Sequence, residues 1–172
     1  MRRFLLALSF LCAAHAAVAN STIPAKGTID VAFSPNGGAT ALVVKTIAGA
    51  RKSILVQAYS FTSAPIAQAL AQAKERGVDV RVILDKSQKS ERYTVATYLA
   101  NHSIPTWIDS DHAIAHNKVM VIDGDTVITG SFNFTKAAEN DNAENVIVLR
   151  GNPELARIYI NNWLQHQAHS DN

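Results

Sequence analysis

The chain has 172 residues, of which 48% are apolar, and this length and composition favour one domain with a substantial hydrophobic core. Its 16 Lys and Arg residues face 14 Asp and Glu residues, so overall charge does not indicate a nucleic-acid partner. A single cysteine, Cys12, excludes an internal disulfide framework.

The first 19 residues are typical of a secretory signal peptide. Two arginines precede an apolar run, residues 4–14, and Ala17-Val18-Ala19 is a small-residue cleavage site, with Ala14-His15-Ala16 as a second candidate. The apolar run is too short to span a membrane. We therefore expect a cleaved signal peptide (1–19), a single mature domain (20–172), a periplasmic or secreted location and no stable membrane association. Cleavage would also remove the only cysteine.

Hydrophobic periodicity and turn residues predict strands that alternate with helices. The predicted strands cover residues 29–33, 54–61, 78–84, 106–108, 116–123, a segment starting at 126, and 145–149. The predicted helices cover residues 39–50, the segment between Thr62 or Ser63 and Gly77, 91–100, a short stretch near 136–139, and a last helix capped by Asn152 and opened by Pro153. The alternation implies parallel pairing, and the hairpin after residue 116 adds antiparallel pairing. The expected fold class is α/β, with a mixed, mostly parallel β-sheet sandwiched between helices.

The predicted hairpin carries the strongest functional signal. Its first strand reads His116-Asn117-Lys118-Val119-Met120-Val121-Ile122-Asp123, and its second strand ends in Gly130-Ser131-Phe132-Asn133. Because side chains alternate along a strand, His116 and Lys118 point to one face, whereas Asp123 has the opposite parity. An imidazole, an ammonium, a hydroxyl and an amide at strand ends suit a bound phosphate.

This pattern, H-x-K-x4-D-x6-G-S-x-N, resembles the signature of the phospholipase D superfamily. It is most similar to the single-motif members, the Nuc-type endonucleases, and the likeness extends from about residue 28 to the end. The resemblance implies a phospholipase D-like fold and a histidine that forms a covalent phosphohistidine, which water then hydrolyses. No cofactor is expected. No acidic cluster of the kind that binds Mg²⁺ flanks the motif, so no metal is expected either.

The resemblance also implies a role for each polar residue of the site. His116 is the nucleophile, and Lys118 and Asn133 bind the non-bridging oxygens and stabilise the five-coordinate phosphorus. Ser131 donates a third hydrogen bond to the substrate, unless it is only a turn residue. Glu144 heads the last strand and would orient the histidine through its other ring nitrogen, unless it is a solvated edge residue.

Three further residues receive weaker assignments. Asp123 is predicted to be structural, in the hairpin turn, and Gly130 lets the backbone pass close to the ligand or ends the strand. His112 is a candidate substrate contact. A zinc site made by His112 and His116 is disfavoured because their side chains would lie about 13 Å apart on a strand. The remaining histidines are expected at the surface: His102, His166 and His169.

One copy of the motif leaves one catalytic group unaccounted for. A second group must protonate the leaving alkoxide, and the family uses a histidine from a second motif. The resemblance therefore predicts a homodimer with two-fold symmetry in which two motifs share one site. Lys86, Lys89 and Arg92 are either a phosphate-backbone track or a solvated helix start, and Tyr93 either stacks on a base or packs internally.

The leading functional prediction is a metal-independent, sequence-nonspecific endonuclease that acts on DNA, with RNA left open as a substrate. The first alternative is a phospholipase D-type lipid phosphodiesterase, which should show an exposed apolar loop near the site, whereas the predicted loops are polar. The second alternative is a non-catalytic periplasmic nucleic-acid-binding protein. A metal-dependent His-Asn nuclease is the most distant one.

Overall fold

The structure, a computed structural model, describes residues 20–89 and 95–171. Its strands are β1 (Thr28–Ser34), β2 (Ser53–Ala58), β3 (Asp79–Asp85), β4 (Thr106–Asp109), β5 (Lys118–Ile122), β6 (Thr126–Gly130) and β7 (Glu144–Arg150). Its helices are α1 (Ala39–Ala48), α2 (Ala64–Glu75), α3 (Val95–Asn101), α4 (Lys136–Asn140) and α5 (Pro153–His169), with a 3₁₀ turn at Lys86–Lys89. The predicted signal peptide with Cys12, and the start of the third predicted helix with Arg92 and Tyr93, lie outside the described residues.

The strands form one sheet in the order β1-β7-β6-β5-β2-β3-β4. The expected mixed sheet flanked by helices is confirmed, but the expectation that it is mostly parallel is wrong. Within the described residues only β2–β3 and β3–β4 pair in parallel, and the other four neighbouring pairs are antiparallel. The reason is topological. The motif hairpin lies beside β2 and runs in the opposite direction, and β1, the outermost strand on one side, pairs antiparallel with β7. Neither contact is signalled by the local alternation of strands and helices.

Helices cover both faces of the sheet, and the alternation along β5 shows which residues face which layer. Met120 and Ile122 pack in the cluster that contains α1 and α2, whereas Val119 and Val121 pack against α5. Trp163 of α5 is fully buried and its indole N–H donates to the carbonyl of a β2 residue at 2.9 Å. In the part of the chain that the structure describes, no helix combines the length and the apolar character needed to cross a bilayer.

Asp123 lies in the β5–β6 turn, with φ +54°. Each end of the strands forms one edge of the sheet, and this turn lies at the edge opposite to the start of β5. The Asp123 carboxylate accepts hydrogen bonds from the backbone amides of Arg51, Lys52 and Ser53 at 2.7–3.2 Å. Burial alone would raise the pKa of Asp123, but these three amides and the charge of Lys52 together bring it below its ordinary value. The side chain therefore attaches the motif hairpin to the loop that leads into β2.

The strand directions bring most polar residues of the motif to the other edge. Five strands end there and two begin there, so Asp85, Asp109, Lys118, Gly130 and Glu144 all lie along that edge. The ends of strands are where backbone groups and side chains are free to meet a ligand. The candidate site therefore lies along this edge.

Candidate active site

Lys118 and His116 form the centre of the site at the start of β5. Lys118 pairs with Ala58 of β2, and only 8% of its surface is exposed. Its ammonium donates to the carbonyl of His116 at 3.1 Å and lies 5.1 Å from the ring centroid of Tyr59. The His116 ring is exposed and lies 4.6 Å from the same tyrosine ring. The structure thus places an accessible imidazole and a buried cation against the same aromatic ring.

The charge of Lys118 is only partly compensated within the chain. Burial lowers the pKa of its ammonium, and the carboxylate of Glu144 acts against this by favouring the charged form. The tyrosine face and one carbonyl supply weak further stabilisation. A phosphate oxygen arriving at this point would meet a cation that still lacks a strong partner, which favours anion binding.

Gly130 and Ser131 connect the motif to the start of β7. Gly130 has φ +149°, and a Cβ there would lie 2.2 Å from the carbonyl oxygen of Asn145, so only glycine fits this approach of two strands. The Ser131 hydroxyl accepts from both the backbone amide and the side-chain amide of Asn145, at 3.1 and 3.3 Å. In this structure Ser131 therefore orders β7, and its hydroxyl hydrogen remains free to donate outward.

Asn133 lies between β6 and α4, in a segment that runs beside the residues following β2. The adjacent Phe134 pairs with Phe61 and donates its backbone amide to Ser60, which holds this segment beside β2. The side-chain Oδ1 of Asn133 is buried and has no hydrogen-bond partner among the described residues. A half-turn of the amide exchanges its oxygen and nitrogen, so this position can offer a donor to a ligand oxygen. An unpartnered buried amide at a phosphate-type site is consistent with a role in binding.

Glu144 is half-buried at the start of β7. Its backbone amide donates to the hydroxyl of Ser34, and its carboxylate accepts from the side chain of Asn142 at 3.2 Å. The predicted hydrogen bond between Glu144 and the ring of His116 is not among the contacts of the described residues. Glu144 acts instead on Lys118, through its charge.

The structure places His112 in a different cluster from His116. The His112 ring nitrogen contacts both carboxylate oxygens of Asp109 at 3.0 Å. His166 and His169, which were expected at the surface, contact the same carboxylate at 2.7 and 3.5 Å, with side chains 14% and 31% exposed. That expectation is wrong, because the fold brings the end of α5 against the end of β4. Substrate contact by His112 stays a prediction.

Sequence reasoning missed Tyr59 and Asp109. Tyr59 touches both His116 and Lys118, and its only signal was an aromatic residue with a polar tip at the end of an apolar strand. Asp109 is fully buried, and it is preceded by a short strand and followed by two polar residues, which resembles an ordinary turn. The three histidines around it become visible only in the folded chain.

The site of one chain supplies a nucleophile and an anion-binding position. It contains only one imidazole among the described residues, that of His116. In the described residues the other histidines are bound elsewhere, three of them to Asp109 and His102 to the carbonyl of Tyr98. A single chain can therefore attack and hold a phosphodiester, whereas proton donation to the leaving oxygen needs a further group.

Comparisons with known proteins agree with this geometry. The family model described as "Cardiolipin synthase, PLD-like domain" matches residues 43–166. The crystal structure of Nuc from Salmonella typhimurium, a phospholipase D family member, has 43% sequence identity and a TM-score of 0.80, with 83% of this chain and 95% of that chain covered.

Two curated relatives give the same result. A protein named phospholipase D from Rickettsia felis is 43% identical over 83% of this chain and 71% of its own length. The mitochondrial cardiolipin hydrolase of Mus musculus is 29% identical over 69% of this chain and 53% of its own length. The resemblance inferred from the motif is thereby confirmed, and the chain belongs to the phospholipase D superfamily as a phosphodiesterase of the phospholipase D-like fold.

Proposed function

We propose that this phosphodiesterase is a metal-independent, sequence-nonspecific endonuclease that acts on DNA. The observation that carries the proposal is that the exposed imidazole of His116 and the buried ammonium of Lys118 lie against the same Tyr59 ring, at an open edge of the sheet. A long polyanion can reach such an edge along its backbone without inserting a base, which suits recognition of phosphate rather than sequence. The similarity to Nuc over nearly the whole of that chain supports the same assignment.

The chemistry proceeds in two displacements at phosphorus. A ring nitrogen of His116 attacks, the bond from phosphorus to the leaving alkoxide breaks, and a phosphohistidine forms. Water then attacks phosphorus, breaks the bond to the imidazole and regenerates the free histidine. Lys118 and Asn133 hold the non-bridging oxygens, where negative charge accumulates in both transition states. No step requires a metal ion.

A second copy of the chain supplies the missing acid in this proposal. Across a two-fold axis, one His116 attacks while its symmetry mate gives a proton to the leaving oxygen and later accepts one from water. An apolar stripe on β1 offers a contact surface for such a pair, since Ile29, Val31 and Phe33 are 60%, 51% and 64% exposed. The Phe33 end of this stripe pairs with Asn145, at the edge that carries the site.

The first experiment compares substrates in EDTA. Parent protein, His116→Ala and the matched control His102→Ala are incubated with supercoiled plasmid DNA and, separately, with phosphatidylcholine–phosphatidylglycerol vesicles, well below the unfolding temperature. We expect the parent and His102→Ala to convert the plasmid to nicked and short forms and His116→Ala to leave it intact. Plasmid cleavage by His116→Ala at the parental rate, or no cleavage by the parent, would refute the proposal.

A second experiment tests the shared site. Parent and His116→Ala chains are unfolded together and refolded at set ratios, and molecular mass is measured by light scattering. If each site needs both histidines, an equal mixture keeps about one quarter of the parental activity, whereas independent sites keep about one half. A monomeric mass with full activity would exclude the dimer.

A lipid phosphodiesterase is the second candidate, and one observation favours it. Ile114, two residues before His116, is 55% exposed, so the loop beside the site is not wholly polar as the sequence had suggested. The Rickettsia relative is also named phospholipase D. Release of headgroup from the vesicles with no plasmid cleavage would select this function.

We also propose that the protein acts outside the cytoplasm, because its first residues have the pattern of a signal peptide. Cell fractionation with mass spectrometry of the recovered protein tests this, and a chain that stays in the cytoplasmic fraction and still begins at Met1 would contradict it.

A further inference from the structure

The second cluster at the same sheet edge lies outside the proposed catalytic machinery. Asp109 ends β4, which is separated from β5 by β2 and β3. Around its carboxylate stand His112 from the following loop, and His166 and His169 from the last turns of α5. One ligand atom from each of these four residues lies within 4.8 Å of all the others.

We propose that Asp109, His112, His166 and His169 bind a single transition-metal ion, with Zn²⁺ as the expected occupant, and that this ion is structural. Three imidazoles and one carboxylate are the number and types of ligand that a closed tetrahedral zinc site uses. Imidazole nitrogens favour zinc, copper or nickel, whereas Mg²⁺ and Ca²⁺ prefer sites made of oxygen.

The cluster has the geometry of a converging set of ligands. The three imidazole centroids lie 4.8, 5.2 and 5.3 Å apart. The carboxylate of Asp109 is fully buried, and its oxygens contact a ring nitrogen of each histidine at 2.7–3.5 Å. Carboxylate oxygen and imidazole nitrogen are both ligands of Zn²⁺, so one ion placed among these atoms would be bound by all four side chains.

The spacing of the ligands is an independent argument. Asp109 and His112 are separated by two residues, and so are His166 and His169, which places the second pair on one face of α5. Two ligand pairs with short internal spacing, distant in the sequence, are typical of structural zinc sites. At bond lengths of about 2.0–2.1 Å the ligand atoms must come to about 3.3 Å from one another, so binding would draw the His112 and His169 rings inward from their present positions.

The ion would fasten three parts of the chain. Ile108 and Asp171 already exchange two backbone hydrogen bonds, at 2.7 and 3.0 Å, which hold the end of the chain on β4. The loop after Asp109 is anchored by Lys86, which donates to the carbonyl of His112 at 2.8 Å, and four residues later it delivers His116 to the catalytic site. The metal would therefore connect the C-terminal helix to the base of the catalytic loop.

The test uses protein produced without a polyhistidine tag, stripped with EDTA and titrated with ZnCl₂, CoCl₂ and MgCl₂. We expect one Zn²⁺ per chain, no binding of Mg²⁺, and Co²⁺ spectra with the intense visible bands of four-coordinate geometry. Zinc at about a hundredfold its Kd should raise the unfolding temperature by about 5–10 °C. No zinc binding in the micromolar range, or a six-coordinate Co²⁺ spectrum, would overturn the proposal.

The variants locate the site. His166→Gln and the more exposed His169→Gln should each weaken zinc binding by roughly a hundredfold or more and abolish the thermal shift. His102→Gln and His116→Gln should bind as the parent does. Parental binding by both cluster variants, or loss of binding in His116→Gln, would contradict the assignment. Because the proposed ion is structural, the metal-free parent should keep its phosphodiesterase activity at low temperature. Absence of zinc binding would therefore refute only the metal site, and absence of plasmid cleavage would refute only the proposed nuclease function.

Discussion

Replacement of Asp123 by asparagine tests whether the aspartate of the motif is structural. The parent carboxylate accepts from the amides of Arg51, Lys52 and Ser53, at the edge opposite the catalytic residues. Asparagine keeps one carbonyl acceptor and adopts the observed φ of +54° nearly as readily as aspartate, so the change removes charge and one acceptor without backbone strain. We expect Asp123→Asn to lose stability and to retain its catalytic rate at low temperature.

The contacts set the magnitude. A hydrogen bond to a charged group contributes about 1.5–3 kcal/mol, against about 0.5–1.5 kcal/mol for a neutral one. The amides of Arg51 and Lys52 are exposed, so water replaces part of what is lost there, whereas the Ser53 amide is partly buried. We therefore expect a loss of about 2 kcal/mol in the free energy of unfolding, or about 4–8 °C in Tm for a domain of this size.

The stability lost in Asp123→Asn should depend on pH in a characteristic way. Because the folded-state pKa of Asp123 lies below its ordinary 3.8, its charge stabilises the protein above that value, and this stabilisation disappears as the pH falls through the folded pKa. The difference in free energy of unfolding between the parent and Asp123→Asn should be constant between about pH 5 and 7 and shrink below about pH 4. Other carboxylates titrate in both proteins and largely cancel in this difference.

The assay is urea unfolding followed by circular dichroism between pH 3.5 and 7, with hydrolysis of a chromogenic phosphodiester measured in parallel. Asp125→Asn is the matched control, because Asp125 lies in the same turn, is exposed, and its carboxylate accepts from the hydroxyl of Thr126 and not from the loop before β2. A difference that stays constant down to pH 3.5, or a large loss of rate with unchanged stability, would refute the structural role of Asp123.

Three further predictions concern the site. Lys118→Met should lower the rate by about 10²–10³-fold and leave Tm equal or higher, because burial disfavours the ammonium that the phosphate needs. Gly130→Ala should cost about 2 kcal/mol in the free energy of unfolding, measured by urea titration, because its Cβ would lie 2.2 Å from the Asn145 carbonyl oxygen. Glu144→Gln should move the alkaline limb of the pH–rate profile to lower pH, because removal of this carboxylate lowers the pKa of Lys118 further.

Matched controls accompany these three changes. Lys136→Met removes an exposed ammonium and should keep the parental rate, Gly49→Ala falls at a helical φ of −78° and should be nearly neutral, and Glu75→Gln removes a distant exposed carboxylate. A marked fall in Tm for Lys118→Met, parental stability of Gly130→Ala, or an unmoved alkaline limb for Glu144→Gln would each contradict its prediction.

Local patterns located the strands and helices well, because each element has its own periodicity and terminal residues. Asn152 and Pro153 opened α5 as expected, and the Asn152 side chain accepts the Leu155 amide. Alternation along β5 correctly grouped Met120 with Ile122. These are contacts between near neighbours in the sequence, and the sequence alone determines them.

Contacts between distant segments were not predictable in this way. The pairing of β1 with β7 joins residues more than a hundred positions apart, and the Asp109–His166 contact spans 57 positions. Each of these residues has an ordinary local environment, so nothing in the chain distinguishes His166 from a solvated helix residue. The same limit explains why Tyr59 was not associated with His116.

The pairing of the first strand with the last one affects how the chain folds during synthesis. While the ribosome is still translating, residues 28–34 have no partner, because their partner strand is completed only at Arg150. The nascent polypeptide thus displays Ile29, Val31 and Phe33 together with a bare strand edge, a combination that chaperones bind and that favours self-association when they are scarce. The native β1–β7 pairing therefore cannot be completed before Arg150 has been synthesised.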